Sequence, residues 1–313
     1  MSCWSRPAAC RYICPMPGRR EEAKMTEPTD ADSYRAFADP DAAGAWLKAL
    51  GGVPDAAIDL TGACLALAAL ERPWQSLDRE VDHLARLADD LRGSVPAAGL
   101  PVGARAEAIA GVLHGRHDYR GDRESYDDLR NANLLAVIER RRGLPIALSV
   151  LWLHLARAMD WPAEGVNFPG HFLVRLSDGP ERLMVDPFDD GRTVETGGLR
   201  ALVKLVEGDD AELRPHHYAP AANRDILLRL QNNIKLRQIR AGRLDDARIT
   251  VERMLLYAPD RAALWHALGV LNAETGRPKA ALDALGKVAG LDDAGVWQRQ
   301  VARLMQQLRR KLN

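Results

Sequence analysis

The chain has 313 residues, of which 47% are hydrophobic, enough for about two domains of ordinary size each with its own core, so disorder throughout is excluded. Lys and Arg number 43 and so do Asp and Glu, which removes any general attraction to nucleic acid or anionic lipid. The balance is uneven, however: residues 223–313 hold 17 basic and 9 acidic side chains, a net of +8, and the remainder carries −8.

The first 24 residues contain three of the four cysteines, Cys3, Cys10 and Cys14, without a His at zinc-finger spacing. They lack the apolar stretch of a secretory signal. A disordered tail over 1–30 is expected, with Met25 a plausible true start. No apolar run reaches the roughly 20 residues of a membrane span, so a cytoplasmic protein without membrane contact is expected.

From Asp41 to about Gly115 the pattern is helical. In DREVDHLARLADDLR, Val81, Leu84, Leu87 and Leu91 share one face. Cys64 lies in GACLALAAL and reads as a small core residue. The segment DYRGDRESYDDLRNA is polar and turn-like. It leads into NLLAVIERRRG and then LPIALSVLWLHLARAMDW, where Leu148, Leu151, Trp152 and Leu155 form a stripe behind Pro145, whose fixed φ suits a first helical turn.

The period then changes. Residues 165–176 and 182–188 are short apolar segments separated by SDGPE and read as two antiparallel strands joined by a turn. A helix around LRALVKLV and a polar connector precede a wholly helical end. There Gly242-Arg243 recurs as Gly276-Arg277 and Ala247 as Ala281, each 34 residues on, the period of the tetratricopeptide helix pair. The fold class expected is therefore α+β and mostly helical: a helical part over 31–120, a core with a small antiparallel sheet over 121–222 and tetratricopeptide-like repeats over 223–313.

The segments NANLLAVIERRRGLPIALSVLW, GVNFPGHFLVRL and LMVDPF resemble the SirB-type transglutaminase-like family of bacterial proteins, from about Asp41 to the C-terminus. The resemblance implies a degenerate transglutaminase-like core between a helical N-terminal part and tetratricopeptide units. Active relatives use a Cys at a helix N-terminus, a His on a following strand and an Asp on the next, the thiolate attacking an amide carbonyl while the carboxylate orients the imidazole. By that correspondence His171 and Asp186 match the His and Asp, and Pro145 occupies the nucleophile's place. Proline offers no nucleophile, so the resemblance implies a vestigial dyad and a pseudoenzyme.

Other readings stand beside it. Ser149, one turn beyond Pro145, is the hydroxyl available if a Ser, His and Asp hydrolase has been rebuilt, or a small residue in a packed helix. Cys64 could return a thiol if it reached His171. His154, His171, Asp186, Asp189 and Asp190 match no metal-binding pattern, and neither a metal nor a cofactor is expected. Arg140, Arg141 and Arg142 read as an anion site or an ion-paired face, and His216-His217 as an exposed loop. The functions that follow are a non-catalytic binding or scaffold protein and, alternatively, a hydrolase or acyltransferase working through His171 and Asp186. The positive C-terminal region favours an acidic peptide or protein partner, or the chain's own negative part, over specific nucleic-acid binding.

Overall fold

A computed structural model describes residues 31–96 and 99–312; the expected N-terminal tail, with its three cysteines and Met25, lies outside the described residues. The N-terminal helices are α1 (Ala31–Arg35), α2 (Pro40–Ala49), α3 (Leu60–Glu71), α4 (Asp78–Ser94) and α5 (Val102–Ala110), the last running on as a π-turn over Gly111–Arg116. Their starts follow from side-chain caps. Asp39 accepts the Asp41 amide ahead of Pro40, and Asp59 accepts the Gly62 amide at 3.1 Å. Val81, Leu84, Leu87 and Leu91 of α4 are all buried, as their spacing predicts.

A two-residue strand β1 (Arg120–Gly121) pairs in parallel with β2 (Arg142–Gly143), bracketing helix α6 (Leu134–Arg140). Helix α7 (Pro145–Ala158) follows and is buried along most of its length. The main sheet is antiparallel in the order β3 (Ala163–Val166), β4 (Leu173–Asp178), β5 (Glu181–Asp186) and β6 (Arg192–Thr193). The expected β4 to β5 hairpin is present, with Val174 opposite Val185. The segment expected as one strand over 165–176 is two: Asn167 to Phe172 leave the ladder, because Pro169 cannot donate to it and Gly170 turns the chain at φ +71°.

Helix α8 (Thr196–Glu207) and a connector lead to α9 (Asn223–Arg240), α10 (Leu244–Tyr257), α11 (Ala262–Glu274), α12 (Pro278–Val288) and α13 (Gln298–Leu312). Gly242 at φ +71° and Gly276 at φ +74° each lie in the turn between paired helices, a left-handed conformation that glycine adopts without steric cost. Ala247 and Ala281 are fully buried where the pairs cross, and a Cβ on Gly269 would lie 2.6 Å from Leu285. Helices α9 to α12 therefore form two antiparallel pairs at the 34-residue spacing.

One apolar cluster runs from Tyr34 through Trp152 and Val174 to Met254 and Ala284, so side chains from all three segments share a core. Asp55 fastens the far ends together: its carboxylate accepts the Asn223 and Arg224 amides at 2.8 and 2.9 Å, at the first turn of α9. Arg224 in turn donates to the Leu50, Val53 and Tyr257 carbonyls. Arg253 meets Glu71 and Arg237 meets Asp127, so part of the positive region does face the negative one.

Candidate functional site

The loop before α7 is held by backbone and side-chain bonds that local sequence dictates. Asn133 caps α6 by accepting the Ala136 amide, and Arg141 ends that helix in the left-handed region at φ +58°. The Leu144 amide donates to the Asn131 carbonyl at 2.9 Å, which fixes the approach to Pro145. Behind it Arg140 bridges Asn131 and Asp122, and Asp122 also accepts both the amide and hydroxyl of Ser125. Burial pushes the Asp122 carboxyl up, but these donors outweigh it and hold it at about 2.

Pro145 occupies the first position of α7, half-buried. Ser149 is fully buried and its hydroxyl donates back to the Pro145 carbonyl at 2.8 Å, an i to i−4 bond within the helix. Cys64 sits buried in α3, where burial and the Asp59 carboxylate push its thiol up, away from the reactive thiolate.

His171 lies in the loop two residues before β4, rather than in a strand as expected. Gly170 delivers it, and the His171 amide donates to the Phe168 carbonyl at 3.0 Å. The imidazole Nδ1 is 3.2 Å from Oδ2 of Asp186, the last residue of β5. The other Asp186 oxygen accepts the Phe188 amide at 2.9 Å, so the carboxylate is aimed from both sides. The His171 side chain is 33% exposed against 10% for Asp186. This is an imidazole oriented by a buried carboxylate and open to solvent on its other edge, geometry suited to accepting a proton at Nε2. Among the described residues no hydroxyl or thiol hydrogen-bonds that ring.

The remaining candidates are dispersed. His154 faces Thr61 Oγ1 at 3.3 Å in the helical core. Asp189 pairs with Arg123 at 2.7 Å, and Asp190 lies 3.7 Å from Arg120 and 3.8 Å from His114. Arg140, Arg141 and Arg142 are engaged within the protein, by Asp122, by Tyr119 and by Asp118 respectively. His216 is exposed as expected, but His217 is buried, its Nδ1 accepting the Arg214 amide at 3.1 Å and its ring against Phe168.

Three residues that sequence reading passed over border the dyad. Arg229 of α9 donates to the His171 carbonyl at 3.1 Å and lies over the Phe172 ring. Phe188 follows Asp186 and meets Tyr126 edge to face at 6.0 Å. They come from segments 41 to 103 residues apart, and only the DPF run hinted at one of them.

The transglutaminase-like superfamily profile matches residues 78–232, a span that takes in α7, the antiparallel sheet beside it and both His171 and Asp186. Among curated proteins, a UPF0162 protein of Xylella fastidiosa strain 9a5c is 32% identical over 243 residues, covering 76% of this chain and 85% of that protein. The counterpart in strain Temecula1 is 34% identical over 184 residues, 57% of this chain and just under two thirds of its own length, at 64%. The chain belongs to the UPF0162 family of transglutaminase-like proteins. A shorter likeness, 41% over 83 residues, joins 26% of this chain to 13% of the mouse F-box only protein 21.

Proposed function

We propose that this chain is a non-catalytic member of its family, a protein-binding or scaffold module in the SirB-type manner, offering partners the face around His171 and the paired helices of its tetratricopeptide-like end. The observation that carries this reading is the state of the helix that should supply the nucleophile. Its first residue is Pro145, and the nearest hydroxyl on it, Ser149, is buried and already bonded to the Pro145 carbonyl. The dyad then has an oriented base with no protein nucleophile to activate. Its pairing would serve to pin the 167–172 loop to the end of β5.

The test is a covalent one. Wild-type protein should form no adduct with electrophilic amide or ester probes at any side chain touching His171, as read by intact-mass analysis. Pro145→Cys should acquire a reactive thiol, because the helix N-terminus would favour thiolate. An adduct on the wild-type protein would reverse the reading.

One observation favours a second reading: the His171 to Asp186 geometry is intact and its outer edge is exposed. In that case the imidazole would act as general base on water, and hydrolysis would depend on His171 without a covalent intermediate.

A further inference from the structure

Among the described residues, no carboxylate pairs with Arg229. It is half-buried on α9, with its guanidinium 5.3 Å from the Phe172 ring centroid and one N–H given to the His171 carbonyl at 3.1 Å. Asp225 stands one helical turn away at i−4, where pairing is ordinarily within reach. The acidic residues around the site are each committed elsewhere. Asp225 pairs with Arg261 at 2.9 Å, Asp127 with Arg237 at 3.2 Å, Asp189 with Arg123 at 2.7 Å and Asp186 with His171. Burial lowers the guanidinium from its ordinary value. A partly desolvated charge without a partner is costly unless it is kept for a ligand.

The chemistry around it narrows the ligand. Arg229 spends one donor on His171 and keeps a planar edge whose paired N–H groups match the two oxygens of a carboxylate. A phosphate dianion would call for a second free cation, and the neighbouring Arg123 and Arg237 already carry ion pairs. Phe172 lies beneath the guanidinium. Tyr126, 45% exposed, stands beside Phe188, and Val206 lies 2.9 Å from where a Cβ on Gly170 would be. The surroundings are therefore apolar and aromatic, with ion-paired charges at their border and a single cation left without an acidic partner, a composition suited to a peptide carboxylate and not to a polyanion.

We propose that Arg229 is the anchor of a peptide-binding subsite beside the His171 to Asp186 couple, and that it receives a carboxylate of a bound protein segment, either an Asp or Glu side chain or the segment's free C-terminus. The inference rests on the binding reading given above. It also places the partner's acidic group at the transglutaminase-like face, not at the basic C-terminal helix.

The test uses the full-length protein and three capped tripeptides at millimolar concentration: acetyl-Gly-Glu-Gly-amide, its Gln counterpart, and acetyl-Gly-Gly-Gly with a free C-terminus. The readout is the His171 imidazole C2–H resonance. A saturable shift is expected with the Glu peptide, the free C-terminus or both, the pattern identifying the carboxylate's source, and at least tenfold weaker binding is expected for the Gln peptide. Arg229→Gln should weaken the carboxylate response at least tenfold, with Arg229→Lys between. The Glu against Gln comparison is made on wild-type protein and needs no variant to fold. Equal binding of the Glu and Gln peptides with no tighter binding of the free C-terminus, tighter binding of inorganic phosphate, or no saturable shift with any of the three would overturn the proposal. Cleavage of a bound peptide, read by mass, would instead overturn the non-catalytic reading while leaving the subsite standing.

Discussion

The Trp152 indole N–H donates to Nε2 of His114 at 3.1 Å, while Nδ1 of the same imidazole bonds to the Tyr119 carbonyl at 2.8 Å. The two contacts settle the tautomer: Nδ1 carries the hydrogen and Nε2 accepts. A protonated ring would turn Nε2–H against the indole donor, so His114 is neutral in the fold.

An acid sensitivity follows. Burial lowers His114, takes His83 down to about 3 and takes His154 down to about 4, each from an ordinary value of 6.5. The folded values lie below the unfolded ones, so this stability is fully present above pH 6.5 and is lost as pH falls toward the folded values. Each neutral imidazole contributes up to about 1.4 kcal/mol per pH unit inside that window. Denaturation midpoints should therefore decline between pH 6.5 and 4.5, and the C2–H signal of His114 should titrate below the ordinary imidazole value. A His114 midpoint near 6.5 would contradict the assignment.

Trp152→Phe should cost about 1–3 kcal/mol, because it strands the His114 acceptor in the core. The same change should raise the apparent His114 pKa. Chemical denaturation together with an NMR titration measures both, and a stability loss with an unmoved pKa would mean that packing alone is responsible.

Ser149→Ala should leave stability within about 1 kcal/mol, since the hydroxyl it removes only bonds back to its own helix and the methyl still fills the space. Any hydrolytic activity of the full-length protein should be unchanged by it. A large loss of such activity would make Ser149 the nucleophile.

Gly170→Ala should destabilise by about 1–2 kcal/mol, because its φ of +71° is unfavourable for an L side chain and a Cβ there would come within 2.9 Å of Val206. Its more telling effect is on position: the His171 imidazole resonances should move, as checked by comparing their shifts with wild type.

Asp55→Ala should cost about 1–2 kcal/mol by freeing two amides at the start of α9. Hydrogen exchange at Asn223 and Arg224 should accelerate. Exchange unchanged at those two amides would show that Arg224 holds the helix start unaided.

Much of the helical architecture was legible, because a period of 3.6 with buried positions such as Val81, Leu84, Leu87 and Leu91 is a local signal. The recurrence of Gly242-Arg243 at Gly276-Arg277 likewise marked real helix turns. The dyad was legible only through family resemblance. No pattern of spacing places His171 against Asp186; the turn at Gly170 and the register of β4 on β5 do. The break after Val166 was visible as Pro169-Gly170 but lost within an apolar run. Arg229, Tyr126 and the Asp55 clasp depend on contacts between distant segments, 168 residues apart for Asp55 and Asn223, and carry no local mark.

The clasp has a mechanical meaning. A protease cutting once within residues 208–222, the connector ahead of α9, would sever the backbone without parting the molecule, since Asp55, Arg224 and the common apolar interior still grip across the nick. The two pieces should travel together on a sizing column and separate only in denaturant, because the apolar interior and the polar ties of Asp55 and Arg224 share the grip.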